Sequence, residues 1–152
     1  MKVVVLKFGG TSVGTIEKIK KVAEIIGNFK KKNYKVIVVS SAMSGVTNEL
    51  IKKSREISEN FSDSEYDVLV SSGEQVACSL IAGRLIHKGF KSRSWLAWQI
   101  PIITNGSHKN SRINKINKIE IIKYNILVMQ VLIVMVLYVQ NQQILLPPLR
   151  NV

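Results

Sequence analysis

The sequence predicts an α/β sandwich on a mainly parallel sheet, and three observations carry that expectation. Residues 2–8 and Val36-Ile37-Val38-Val39 are short apolar runs, closed by Gly9-Gly10 and by Ser40-Ser41. Runs of that length and closure suit strands buried on both faces. Between them Ile16, Ile19, Val22, Ala23, Ile25 and Ile26 recur at helical spacing. Strand, glycine loop, helix, strand is a βαβ unit, which makes a parallel, right-handed crossover. A chain of 152 residues, 46% hydrophobic and 21% charged, is long enough for one domain with a real core.

The elements follow in order. Thr15 is placed to cap the first helix, although Lys18 stands where a capping box takes an acid. That helix should stop near Gly27 or in the lysine cluster after it. Ser44 to Asn48 reads as a loop, followed by a helix to about Ser58, and Asn60 to Asp63 as a polar surface loop. From Ser64 to Leu85 the pattern is helical, with a break expected at Ser71-Ser72-Gly73, and Gly89 closes the segment. Ser92 to Trp95 is a short strand candidate. Gln99 to Thr104, interrupted by Pro101, reads as a strand near a sheet edge.

The formal net charge of +12 raises a nucleic-acid reading, because phosphate backbones are bound mainly through Lys and Arg. The excess is lysine dispersed over helical stretches such as Lys18, Lys20, Lys21 and Lys30 to Lys32, without interleaved aromatics. A solvated helix face accounts for it better, and no nucleic-acid partner is expected. Cys78 is the only cysteine, so there is no internal disulfide. Its setting, Val-Ala-Cys-Ser-Leu-Ile-Ala, suits a small buried hydrophobe. The N-terminus lacks the form of a cleaved signal peptide, and the expected location is cytoplasmic. His87 and His108 show no ligand spacing with each other or with Cys78, so no metal site is expected. Trp95 and Trp98 read as core or interface residues.

Chemistry concentrates in Lys7-Phe8-Gly9-Gly10-Thr11-Ser12. Glycines directly after a strand let the backbone approach a ligand, with N–H groups turned to phosphate oxygens. The following helix N-terminus adds favourable partial charge. Lys7 can neutralise a transferring phosphoryl group, and Thr11 and Ser12 supply hydroxyls. Neither G-x-x-x-x-G-K-[ST] nor G-x-G-x-x-G is present. A bare strand-to-helix turn beside a lysine would explain the paired glycines equally well, so further motifs have to decide.

Lys7 to Val13 is similar to the N-terminal signature of aspartate kinases, within the wider amino-acid kinase fold. Val38 to Asn48 resembles that family's second segment, with one serine more than its usual pattern, and Ser71-Ser72-Gly73-Glu74-Gln75 resembles the third. Arg93-Ser94-Trp95 and Thr104-Asn105-Gly106 follow in the right order, so the resemblance spans residues 1 to about 123. It implies a three-layer sandwich with a mainly parallel sheet, here incomplete. It also implies transfer of phosphate from ATP to the side-chain carboxylate of L-aspartate, giving 4-phospho-L-aspartate for lysine, threonine, methionine and diaminopimelate synthesis. By motif position, Lys7 stabilises the moving phosphoryl group, and Lys7, Phe8, Gly9, Gly10, Thr11 and Ser12 hold ATP. Ser41 and Thr47 hydrogen-bond the aspartate, and Glu74 holds its α-ammonium. Read without the resemblance, Glu74 is an acid at a helix N-terminus after Gly73. Mg2+ arrives with the nucleotide, held by phosphates and water. Intact family members are expected to be homo-oligomers.

The expected domain plan is 1–123, the N-terminal part of that kinase domain, and 124–152, an apolar tail departing from it. Every acidic residue precedes Tyr124, and only Arg150 is charged beyond it. Family members there have a strand, a Gly-Phe loop and a Gly-Arg-Gly-Gly-Ser-Asp segment that binds both substrates. Codons displaced by two bases over Met129 to Leu132 permit Ala-Gly-Phe, and over Ile144 to Pro148 permit Ile-Thr-Thr-Thr. The reading is a frameshift near Tyr124 in an A/T-rich gene, leaving a truncated, inactive chain. A non-catalytic remnant or a basic nucleic-acid-binding module are the alternatives. The apolar run is shorter than a membrane span and contains Asn125 and Gln130, so no membrane is expected; a buried strand is a further possibility.

Overall fold

The computed structural model describes residues 2–97, 99–100, 102–116 and 126–130. In chain order the elements are β1 (Val3–Phe8), α1 (Ile16–Lys31), β2 (Lys35–Ser40), α2 (Val46–Ile57) and α3 (Asp63–His87). There follow β3 (Arg93–Trp95), β4 (Ile102–Asn105), β5 (Arg112–Ile116) and β6 (Ile126–Gln130). Four strands form one sheet in the order β1-β2-β6-β3, and every pair in it is parallel. The α/β class with a parallel sheet is therefore the observed one.

Register decides which side chains meet. Val4 lies opposite Val36, and Val38 opposite Val128. These four share one sheet face and join the core of α1 and α3: Ile19, Val22, Ala23 and Ile26 from α1, Cys78, Ile81, Ala82 and Leu85 from α3. Burying each large aliphatic such as Ile26, Ile81 or Leu85 contributes about 1.5–3 kcal/mol. The other face carries a smaller cluster, Trp95 and Ile100 with Ile37 and Ile102 packed against them. It does not reach β1, where Val3 and Val5 remain 50% and 36% exposed. The expectation of strands buried on both faces fails there, because both core helices pack on the Val4 face.

Helix α1 starts as expected: the Thr15 hydroxyl accepts the Lys18 N–H at 3.2 Å, satisfying an otherwise orphan donor. Ile16 and Ile25, counted with the core stripe in the sequence, are exposed at its margins. The helix runs through Gly27 and ends in the lysine cluster, the second of the two expected stops; a Cβ on Gly27 would stand 2.9 Å from the Phe90 ring. Glycine there serves packing, not termination.

Helix α3 corrects a second expectation. It is continuous across Ser71-Ser72-Gly73. The two hydroxyls turn inward on the helix, Ser71 to the Val68 carbonyl at 2.9 Å and Ser72 to the Leu69 carbonyl at 2.7 Å. A Cβ on Gly73 would lie 3.1 Å from both Ala42 Cβ and Val46 Cγ1, so this glycine brings α3 against α2. Gly89, at φ 83°, ends the segment as predicted. Its N–H donates to the Ile86 carbonyl at 2.9 Å, and that of Phe90 to the Leu85 carbonyl at 3.0 Å, a Schellman closure.

Residues 102–105 do not edge the main sheet. They pair antiparallel with β5, a strand the sequence reading passed over. The hairpin tip docks on α3: His108 Nδ1 meets Asp67 Oδ2 at 2.8 Å, and Lys109 bonds to Asp63 and lies over the Tyr66 ring. In the tail, β6 sits centrally between β2 and β3. The rest of residues 117–152, like Trp98 and Pro101, lies outside the described residues. Among those described, no helix is long and apolar enough to cross a membrane.

Candidate active site

Parallel strands end together, and ligands of such sheets bind beyond their carboxyl ends. Here β1 leads into Gly9–Thr15 and β2 into Ser41–Gly45. The Ser41 N–H donates to the Phe8 carbonyl at 3.1 Å, tying the two strand ends. The first loop turns tightly, with the Ser12 N–H on the Gly9 carbonyl at 2.9 Å, and fully buried Val13 plugs it into the core. A Cβ on Gly10 would stand 2.9 Å from the Ala42 carbonyl, and one on Gly14 would stand 3.0 Å from Ser44 Cβ. Both glycines let the loops touch. Thr11 and Ser12 are exposed above them. Lys7 is exposed as well, and its Nζ lies 3.9 Å from where a Gly9 Cβ would be. The ammonium therefore hangs over the glycine turn.

Glu74 lies behind the second loop. It sits well inside α3, so its reading as a helix N-terminal acid does not hold. Only 1% of it is exposed. Its carboxyl takes a backbone hydrogen bond from Ala42, while Oε2 is buried with no partner. Burial pushes its pKa up to about 7, against the lowering effect of the Ala42 and Glu74 amides. Buried carboxylates keep their charge only when paired; a cation delivered to Oε2 would supply that pair. Ser41, half-buried, is the neighbour of Ala42, and Thr47, half-buried, occupies the first turn of α2. Ala42 thus links Glu74 to the glycine loop, through its amide and through the close approach of Gly10. Ser41 and Thr47 adjoin the site as chain neighbours of Ala42 and of Val46, which packs on Gly73.

One turn beyond Glu74, Cys78 is fully buried. Burial, then the Glu74 charge, pushes its thiol up to about 12, so it stays a neutral packing residue. Among the described residues no group of three His, Cys, Asp or Glu could hold a metal ion. A hollow of about 470 Å³ along α2, lined by Asn48, Ile51, Lys52, Arg55 and Glu56, touches none of the site residues. The sequence reading missed two contributors. The Ala42 amide carries no side-chain signal, and Lys18, whose Nζ donates to the Thr11 carbonyl at 3.0 Å, was legible only as a flaw in a capping box.

Comparison with known proteins gives the family and the fold. The amino acid kinase family pattern matches residues 2–135, past Lys123 and over β6. An aspartokinase of Rickettsia felis is 46% identical over 127 residues, covering 82% of this chain and 32% of its own length. The crystal structure of aspartate kinase from Synechocystis superposes with a TM-score of 0.70 at 30% identity, over 86% of this chain and 21% of that one. E. coli aspartokinase III in complex with aspartate and ADP shares the fold, with a TM-score of 0.64 at 17% identity over 86% of this chain and 40% of that one. The chain spans about a third of the length of the curated relatives it matches. With a glycine turn under Lys7 and a buried carboxylate behind it, the chain belongs to the amino acid kinase family.

Proposed function

We propose that these residues form the aspartate- and phosphate-binding part of an aspartate kinase. The observation that carries the reading is Glu74: a buried carboxylate with one oxygen unpartnered, set under the loop that adjoins the glycine turn. An α-ammonium completes that site by charge and by hydrogen bonding. Support comes from the likeness to aspartokinases and from the aspartate and ADP held by the E. coli neighbour.

In this reading the side-chain carboxylate of L-aspartate attacks the γ-phosphorus of ATP. The new O–P bond forms as the β–γ bridging P–O bond breaks, and its electrons leave with ADP. A carboxylate is already ionised, so no general base is needed, and catalysis rests on positioning and charge. Lys7 offsets charge on the moving phosphoryl group, and Gly9 to Ser12 cradle phosphates. Ser41 and Thr47 hydrogen-bond the aspartate while Glu74 holds its ammonium. Mg2+ enters with the nucleotide, on phosphate oxygens and water. Work in the cytoplasm, beside ATP, belongs to the same reading.

Alignment of donor with acceptor needs both halves of a site. These 152 residues contain no Gly-Arg-Gly-Gly-Ser-Asp segment. The purified chain should therefore bind ADP and L-aspartate, each raising its melting temperature, yet form no aspartyl hydroxamate from ATP, aspartate and hydroxylamine. Absence of stabilisation by either ligand removes the proposal.

A further inference from the structure

We propose that Lys18 is a positioning residue that clamps the Thr11–Ser12 peptide of the glycine loop, an inference resting on that loop's reading as a phosphate site. The first clue is a broken local rule. Lys18 occupies the third position of α1, where the helix dipole favours acids and a capping box takes Glu or Gln. Natural sequences break such rules where function requires it. The structure shows what stands in the acid's place. The Lys18 N–H donates to the Thr15 hydroxyl at 3.2 Å, and its Nζ donates to the Thr11 carbonyl at 3.0 Å. One residue thus ties both ends of Thr11–Thr15.

The Thr11–Ser12 peptide is held on its other side too, since the Ser12 N–H donates to the Gly9 carbonyl at 2.9 Å. A peptide unit is planar, with its C=O and N–H pointing oppositely, so these two bonds fix its orientation. Released, that unit can turn its carbonyl towards the ligand side, where an oxygen dipole repels phosphate. Lys18 opposes the turn and neutralises the carbonyl's partial charge. It also adds a cation to the loop over which the Lys7 ammonium lies.

The test compares the full chain with Lys18→Met and Lys18→Arg. Lys18→Met should speed exchange of the Ser12 amide by about tenfold and weaken ADP binding by about tenfold. Its L-aspartate affinity and melting temperature should match the wild type, because Lys18 is a surface residue outside the core. Lys18→Arg, still able to donate to Thr11, should recover both losses. A Lys18→Met chain whose Ser12 exchange and ADP affinity stay close to wild type overturns the inference. If the wild-type chain binds no ADP, the phosphate reading falls. The Ser12 exchange comparison then still decides whether Lys18 holds the peptide.

Discussion

Glu74→Gln should stabilise the ligand-free chain, and the gain should appear only as pH rises. The folded state moves this carboxyl from 4.5 to about 7, and each pH unit of displacement is worth about 1.4 kcal/mol. Between those values the folded protein holds a proton that the unfolded chain has released. Stability attributable to Glu74 therefore falls with rising pH across that window. The full cost, about 3 kcal/mol, is present above pH 7 and absent below 4.5. Glutamine keeps an acceptor for the Ala42 amide and cannot ionise. Urea unfolding followed by circular dichroism, from pH 4.5 to 8, reads the difference. The two proteins should be nearly equal at pH 4.5, with the variant ahead by about 3 kcal/mol at pH 8. Parallel pH profiles, or a variant less stable at pH 8, would refute the claim that Glu74 is buried without its partner.

Other perturbations have simpler magnitudes. Gly10→Ala drives a methyl to 2.9 Å from the Ala42 carbonyl and should cost about 1–3 kcal/mol in chemical denaturation, with ADP affinity falling as the loops part. Thr15→Ala removes the α1 cap and should lower stability by about 1 kcal/mol, read in the same assay. Gly89→Ala forces a side chain into φ 83°, costing about 1–2 kcal/mol and lowering the melting temperature by several degrees.

The βαβ start was legible because strand, glycine turn, cap and helical stripe agree with one another. The glycine loop was legible for the same reason: paired glycines end an apolar run beside a lysine. Glu74 was singled out by resemblance, but its environment was hidden. Ser71-Ser72-Gly73 has the composition of a break, and only the contact with Ala42 and Val46 shows why a glycine sits inside a helix. Apolar runs cannot report how many faces are covered, which is why Val3 and Val5 were misread. Strand β5 carries Arg112, Asn114 and Lys115, too polar to declare itself without its partner β4. Strand β6 lay in a tail whose continuous apolarity fits a central strand as well as a departure from the family.

The most direct measurement of the central claim is calorimetric titration of wild-type and Glu74→Gln chains with L-aspartate and with succinate, which lacks the α-ammonium. The account predicts that the wild type binds aspartate clearly more tightly than succinate, and that Glu74→Gln erases the preference by weakening aspartate alone. Equal affinity for the two acids in the wild type, or an undiminished preference in the variant, would contradict it.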